Sequence, residues 1–128
     1  KNPEYTVIGA DTIVFINDKI LNKPANISEA KKMLTLLSGK KHKVLTGVSL
    51  QNQKLNINST FFDVSEVKFY SLTDSEIDNY ISRYNPLDKA GSYGIQDGSA
   101  IFIDKINGSY DNIMGFPISK FYQVLKSI

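Results

Sequence analysis

Apolar positions along the chain alternate between a period of two and a helical period, and the switches mark the elements. Tyr5-Thr6-Val7-Ile8 and Ile13-Val14-Phe15-Ile16 are β-branched and aromatic runs, and Asn17-Asp18 has the chemistry of a two-residue turn that tolerates positive φ. Residues 5–23 therefore read as a β-hairpin in which Ile16 opposes Lys19 and Phe15 opposes Ile20, continuing down to Thr12 opposite Lys23, with Pro24 ending the ladder. That register sets Lys23 beside Asp11-Thr12, although Asp11 points to the other face and Lys23 would need its long stem or a bulge to work with it. Asn26 followed by Glu29 marks a helix start, and Ala30, Met33, Leu34 and Leu37 recur at helical spacing until Ser38-Gly39. Residues 44–50, 55–57 and 61–69 predict strands joined as an antiparallel meander, with Val67 and Phe69 alternating around Lys68.

Thr73 with Glu76 predicts a capping box, opening a helix whose apolar face is Ile77, Tyr80, Ile81 and Tyr84 and which Pro86 terminates. Residues 100–106 predict a strand, and Asn107-Gly108 signals a hairpin into residues 110–114. Pro117 opens a last helix, with Ile118, Phe121, Tyr122 and Leu125 expected inward. Hairpins and meanders interspersed with helices lack the strict alternation of a doubly wound fold. The expected class is α/β, with an elongated mixed β-sheet flanked by helices. Nothing in the composition changes midway, so the 128 residues read as one domain.

Composition narrows the function classes. Cysteine is absent, which excludes a disulfide framework, a cysteine metal site and a thiol nucleophile, and points to a reducing, cytoplasmic setting. No apolar run approaches the ~20 residues of a membrane span, and the first residues do not form a basic-then-apolar leader. Net charge is +2 with acids and bases interspersed, so the chain carries no footprint for binding nucleic acid. The one basic cluster, Gly39-Lys40-Lys41-His42-Lys43, reads as a solvated helix end. Lys1 is not expected to be the natural start, because initiator Met is normally removed only before small residues.

Candidate chemistry is sparse. No Walker or Rossmann glycine motif and no His-x-x-x-His occurs, and His42 is the sole histidine. What remains is polar groups that a plain fold would not need: Asp11-Thr12 inside an apolar strand, Lys23 before Pro24, and Asp88-Lys89 and Gln96 in a Gly-rich loop. A mid-strand Asp is disfavoured and costly to bury unpaired, so it pairs with a lysine across the hairpin or serves a ligand or metal. Gly9 in the same strand fits a close approach by a ligand or another backbone. Asp88-Lys89-Ala90-Gly91-Ser92-Tyr93-Gly94 reads either as a surface loop with an exposed ion pair or as an anion-binding loop.

Val7-Ile8-Gly9-Ala10-Asp11-Thr12, Lys23-Pro24, Leu37-Ser38-Gly39, Thr46-Gly47-Val48, the stretch from Pro86-Leu87-Asp88-Lys89 through Tyr93-Gly94-Ile95-Gln96, and Gly115-Phe116-Pro117 together resemble the Maf family of nucleotide pyrophosphatases in order and spacing. The resemblance covers essentially the whole chain. It implies a fold like that of inosine-triphosphate pyrophosphatases and hydrolysis of a nucleoside triphosphate to the monophosphate and pyrophosphate. Asp11 then matches the family's proton acceptor or metal-side carboxylate, Thr12 and Gln96 match positions tied to substrate choice, and Lys23 and Lys89, with Asp88 beside them, match the triphosphate site. The implied cofactor is Mg²⁺ or Mn²⁺, because an ordinary aspartate is too acidic to be an efficient base at neutral pH unless burial or a metal intervenes.

Gly-Ala-Asp-Thr and Tyr-Gly-Ile-Gln are similar to the branch acting on dTTP and UTP rather than on 7-methyl-GTP. The expected partners are the nucleotide and, in a homodimer, a second copy of the chain; neither nucleic acid nor a membrane is expected. The family's usual Ser-x-x-Arg loop and metal-binding Glu do not occur where this chain begins, so an N-terminal segment is expected to be missing. Two other readings stay open: a nucleotide-binding module without turnover, which would bind and not hydrolyse, and a division-associated interaction protein, whose phenotype would survive Asp11→Asn.

Overall fold

In the computed structural model, which describes residues 4–128, two halves of one strand meet different surroundings. Strand β1 (Val7–Ile16) turns through Asn17, at φ 52°, and Asp18 into the short β2 (Lys19–Leu21). The predicted register holds at Ile16↔Lys19, Phe15↔Ile20 and Val14↔Leu21 and then stops. Thr12 is paired with Thr46 on the next strand rather than with Lys23, because the chain leaves the sheet after Leu21 to enter its first helix. From Val7 to Ile13, β1 has β3 on one side and no strand on the other among the described residues. The reading of Lys1 falls outside the described residues.

Helix α1 (Ile27–Leu37) is capped as predicted: the Asn26 side chain accepts from the Glu29 N–H. Glu29 closes the cap one residue early, accepting from the Ala25 N–H at 3.0 Å. Ala30, Leu34 and Leu37 are buried, and Gly39 leaves the helix at φ 68°. Strand β3 (Lys41–Asn52) alternates exposed and buried residues along almost its whole length. The basic cluster is thus only in part a helix end. Lys40 donates to the Leu36 carbonyl, while Lys41, His42 and Lys43 begin β3, with His42 turned inward.

A four-residue turn that includes the exposed Leu55, expected in a strand, leads into β4 (Ile57–Phe69). The Asn52 side chain accepts from the Leu55 N–H, and Asn56 sits at φ 54°, which together fix the turn. Helix α2 (Asp74–Arg83) carries the predicted capping box of Thr73 and Glu76.

Two later expectations fail for local reasons. Residues 98–102 form a 3-10 turn capped by Asp97, so the last strand, β5, is only Ile103–Asn107. Asn107-Gly108 does not make a hairpin; Gly108 takes φ 127° and the Ser109 hydroxyl accepts from the Asn112 N–H, starting the short helix α3 (Tyr110–Met114). The last helix, α4 (Ile118–Lys126), follows Pro117 as predicted but buries no residue: Ile118, Tyr122 and Leu125 are exposed, while Phe121 packs against Phe116 and Phe61 and Lys120 donates to the Phe62 carbonyl.

The five strands lie in the order β2-β1-β3-β4-β5. The α/β class holds, but the sheet expected to be mixed is antiparallel at every pairing among the described residues. Hairpins join β1 to β2 and β3 to β4, and α1 carries the chain back to the end where β1 finished, so β3 must run against β1. Val14, Ile16, Val44, Val67 and Phe69 from the sheet pack with Leu34 and Leu37 of α1 and Ile77 and Tyr80 of α2 to form the core.

Candidate functional site

The unpaired stretch of β1 faces a cleft of about 300 Å³, closed on its other sides by the loop of residues 88–96 and the end of α3. All six residues singled out from the sequence, Asp11, Thr12, Lys23, Asp88, Lys89 and Gln96, line it. Successive residues of a strand point to opposite faces, yet Asp11 and Thr12 both reach the cleft.

Asp11 is exposed and lies opposite Gly47 on β3, which offers no side chain to meet it. Its carboxylate makes no ion pair among the described residues, so the structural alternative of a lysine partner across the hairpin is not realised. Gly9 does not line the cleft, and a Cβ there would meet nothing within 4 Å, so no other backbone approaches it closely among the described residues. Thr12 differs from Asp11 in being half-buried and held, its hydroxyl 2.8 Å from that of Thr46 and 3.5 Å from the Gly115 carbonyl.

The facing loop carries the exposed ion pair of its first sequence reading and also lines the cleft. Lys89 Nζ lies 3.6 Å from Asp88 and donates to the Asn85 carbonyl at 3.0 Å, a largely exposed pair, while the same residues wall the cleft. Behind them the loop is firmly tied. Tyr80 donates to Asp97 at 2.7 Å and accepts from the Gly94 N–H, and Ser99 donates to the Gly94 carbonyl at 2.7 Å. Burial, and secondarily the bond to Asp97, raises the Tyr80 phenol above its ordinary value, so it stays a donor. Gly91, at φ 71°, lies against Val14: a Cβ there would sit 3.0 Å from a Val14 methyl.

Tyr93 belongs to the same wall and its hydroxyl lies 2.6 Å from His42 Nε2. Both rings are buried and stack edge-on with Phe69. Burial pushes the His42 imidazole down from 6.5 to about 4 and, with Tyr80 nearby, pushes the Tyr93 phenol up, so the pair is neutral at physiological pH. Sequence reasoning gave no role to His42, Thr46 or Asn112, all fully buried polar residues that stand behind the cleft wall. The available signal was the inward phase of β3: His42 and Thr46 fall on the same alternation as Val44 and Val48.

No group of three or more His, Cys, Asp or Glu residues suited to a metal is present among the described residues. The protein's carboxylates at the cleft are Asp11 and Asp88. Among the described residues no helix is long and apolar enough to cross a membrane.

Comparison with known proteins agrees with the motif reading. The family of Maf-like proteins matches residues 1–128. The chain is 53% identical over 126 residues to a dTTP/UTP pyrophosphatase of Bacillus pumilus (strain SAFR-032), covering 98% of this chain and 66% of that protein. It is 50% identical over 125 residues to the dTTP/UTP pyrophosphatase of Bacillus thuringiensis subsp. konkukian (strain 97-27), and 48% over 125 residues to that of Bacillus cereus (strain G9842), covering 98% of this chain and 64% of each relative. The chain thus spans about two-thirds of the length of these relatives.

Proposed function

The chain belongs to the Maf-like protein family, and from that membership we propose that its cleft is the active site of a nucleoside triphosphate pyrophosphatase acting on dTTP and UTP. The observation that carries this reading is a mid-strand carboxylate, Asp11, with no ion-pair partner among the described residues, opening into the same cleft as lysines from two distant segments. A carboxylate kept unpaired beside amines is poorly explained by folding and well explained by a ligand that brings both negative charge and a proton to remove.

In the reaction the oxygen of water bonds to the α-phosphorus, the bond from that phosphorus to the oxygen bridging to the β-phosphorus breaks, and the nucleoside monophosphate and pyrophosphate separate. Asp11 takes up the proton that water gives up. Lys23 and Lys89 hold phosphate oxygens as point charges and offset the charge gathering on the departing pyrophosphate. Lys89 is held only by an exposed carboxylate and a carbonyl, so a polyanion replaces weak contacts. Thr12 and Gln96 meet the base, where the Gln96 amide can donate to a ring carbonyl of a pyrimidine.

Asp11 would hold a divalent cation such as Mg²⁺ or Mn²⁺ together with oxygens of the nucleotide's phosphates. When bound, that ion neutralises phosphate charge and acidifies the attacking water. The absence of cysteine fits work on nucleotide pools in the reducing cytoplasm.

The test is pyrophosphate release by the full-length protein across a nucleotide panel. Release from dTTP or UTP is expected with Mg²⁺ or Mn²⁺, to stop on chelation, and to fall to background in Asp11→Asn. Turnover that persists in that variant removes Asp11 from the chemistry. Binding by the unaltered protein with no release would favour a non-catalytic nucleotide module instead.

A further inference from the structure

Behind Thr12 lies a polar chain that no feature of the reaction above uses. Thr46 is fully buried and does not line the cleft. Its hydroxyl oxygen is 2.8 Å from that of Thr12, its register partner on β1, and 3.2 Å from the Asn112 carbonyl of α3. Asn112, also fully buried, is itself anchored by donating to the Val44 carbonyl at 3.1 Å and the Ser65 hydroxyl at 3.0 Å. This end of α3 carries Ile113, Met114 and Gly115 of the cleft wall.

Proton counting gives the chain a direction. Only one proton can lie between the two hydroxyl oxygens. If it comes from Thr12, Thr46 is free to donate to the Asn112 carbonyl, and both short contacts are made. If it comes from Thr46, the Asn112 contact is forfeited and Thr12 is left with the Gly115 carbonyl at 3.5 Å, beyond the usual range of a hydroxyl bond. The buried Thr46 hydroxyl makes two hydrogen bonds in the first arrangement, accepting from Thr12 and donating to Asn112, and one in the second, so the first arrangement prevails. Thr12 then spends its proton inward and turns only lone pairs to the cleft.

We propose that Thr46 is a positioning residue that fixes the Thr12 hydroxyl as a hydrogen-bond acceptor towards the ligand, so that the site selects bases presenting an N–H there. Thymine and uracil carry a proton on ring N3; cytosine has a lone pair at that atom. The acceptor would therefore favour the first two and repel the third. This rests on the cleft being the nucleotide site proposed above.

The experiment compares kcat/KM for UTP and CTP in the full-length protein. Thr46→Val removes the inward acceptor and lets the Thr12 hydroxyl rotate; the Asn112 carbonyl keeps the Gly115 N–H, so nothing new is left unpaired there. The UTP:CTP ratio is expected to fall about tenfold in Thr46→Val, to fall similarly in Thr12→Val, and to recover in Thr46→Ser, which restores the hydroxyl. If Thr46→Val does not fold, Thr46→Ala deprives Thr12 of the same acceptor and reads the same ratio. An unchanged ratio in Thr46→Val or Thr46→Ala beside a lowered one in Thr12→Val overturns the proposal, as does an unaltered protein that turns over UTP and CTP equally. No turnover of any nucleotide by the unaltered protein would instead sink the pyrophosphatase reading, and this inference with it.

Discussion

The two halves of β1 share a backbone and a neighbour, yet they serve opposite ends. At the inner half, Val14 and Ile16 are 3% exposed, covered by β2, α1 and the 3-10 turn at residues 90–92. At the outer half every residue from Val7 to Asp11 is exposed, and the strand edge is open among the described residues. Val14 and Ile16 contribute to the core, whereas Asp11 opens onto the cleft. One strand thereby joins a packed half to a cleft-lining residue in fixed relation, an arrangement that suits a site that must position groups to within fractions of an ångström.

The contrast can be broken most sharply from its two ends. Asp11→Asn is expected to lower pyrophosphate release by about 10²–10⁴-fold, the range for loss of a proton-transfer group, while urea unfolding moves by no more than about 0.5 kcal/mol because the side chain is exposed and has no ion-pair partner among the described residues. Ile16→Ala should do the reverse in kind, costing about 2–5 kcal/mol in urea unfolding through the cavity it leaves. Its activity, measured well below the unfolding midpoint, should change little. Similar unfolding losses in both variants would dissolve the distinction.

A smaller effect probes the buried flank beside the inner half. His42 is depressed from 6.5 to about 4, so as pH falls the unfolded chain takes up the proton first. Its contribution is complete above pH 6.5, declines through the interval, and has fallen by roughly 3 kcal/mol near pH 4. Urea unfolding between pH 7 and 4 should therefore be less pH-dependent in His42→Gln than in the unaltered protein; parallel curves would show that His42 does not carry the acid sensitivity. Smallest is the change at the rim of the outer half, where Gln96→Glu is expected to lower the dTTP:GTP ratio of kcat/KM about tenfold, more than it raises KM for the triphosphate common to both. An unchanged ratio would move Gln96 away from the base.

Sequence reached furthest where a short range of residues contained the whole answer. Asn26 with Glu29, Thr73 with Glu76 and Asn17-Asp18 each act over three or four positions, and each appears as read. The six candidate residues, all of which line the cleft, were singled out because polar groups interrupt apolar strands or sit in a glycine-rich loop, and because their spacing follows a family pattern. Failures came where two local signals competed or the deciding partner lay far away. Asn107-Gly108 is sound turn chemistry, but Ser109 also caps a helix, and Asn112 finds its anchors on β3 and β4. The apolar stripe of α4 predicts an inward face and cannot say what it would pack against. Thr46 was quoted only as part of a motif, since its value depends on Thr12 and Asn112, 34 and 66 residues away.

The contact between Gly91 and Val14 gives the core a say in the geometry of the cleft. With a glycine at φ 71° resting on valine methyls, there is no slack to absorb extra bulk on either side. Enlarging the valine, a common route to thermostability, would here lift the lysine-bearing loop off its seat. Tolerance at this position is therefore one-sided: trimming it loosens the protein, whereas swelling it misaligns the machinery.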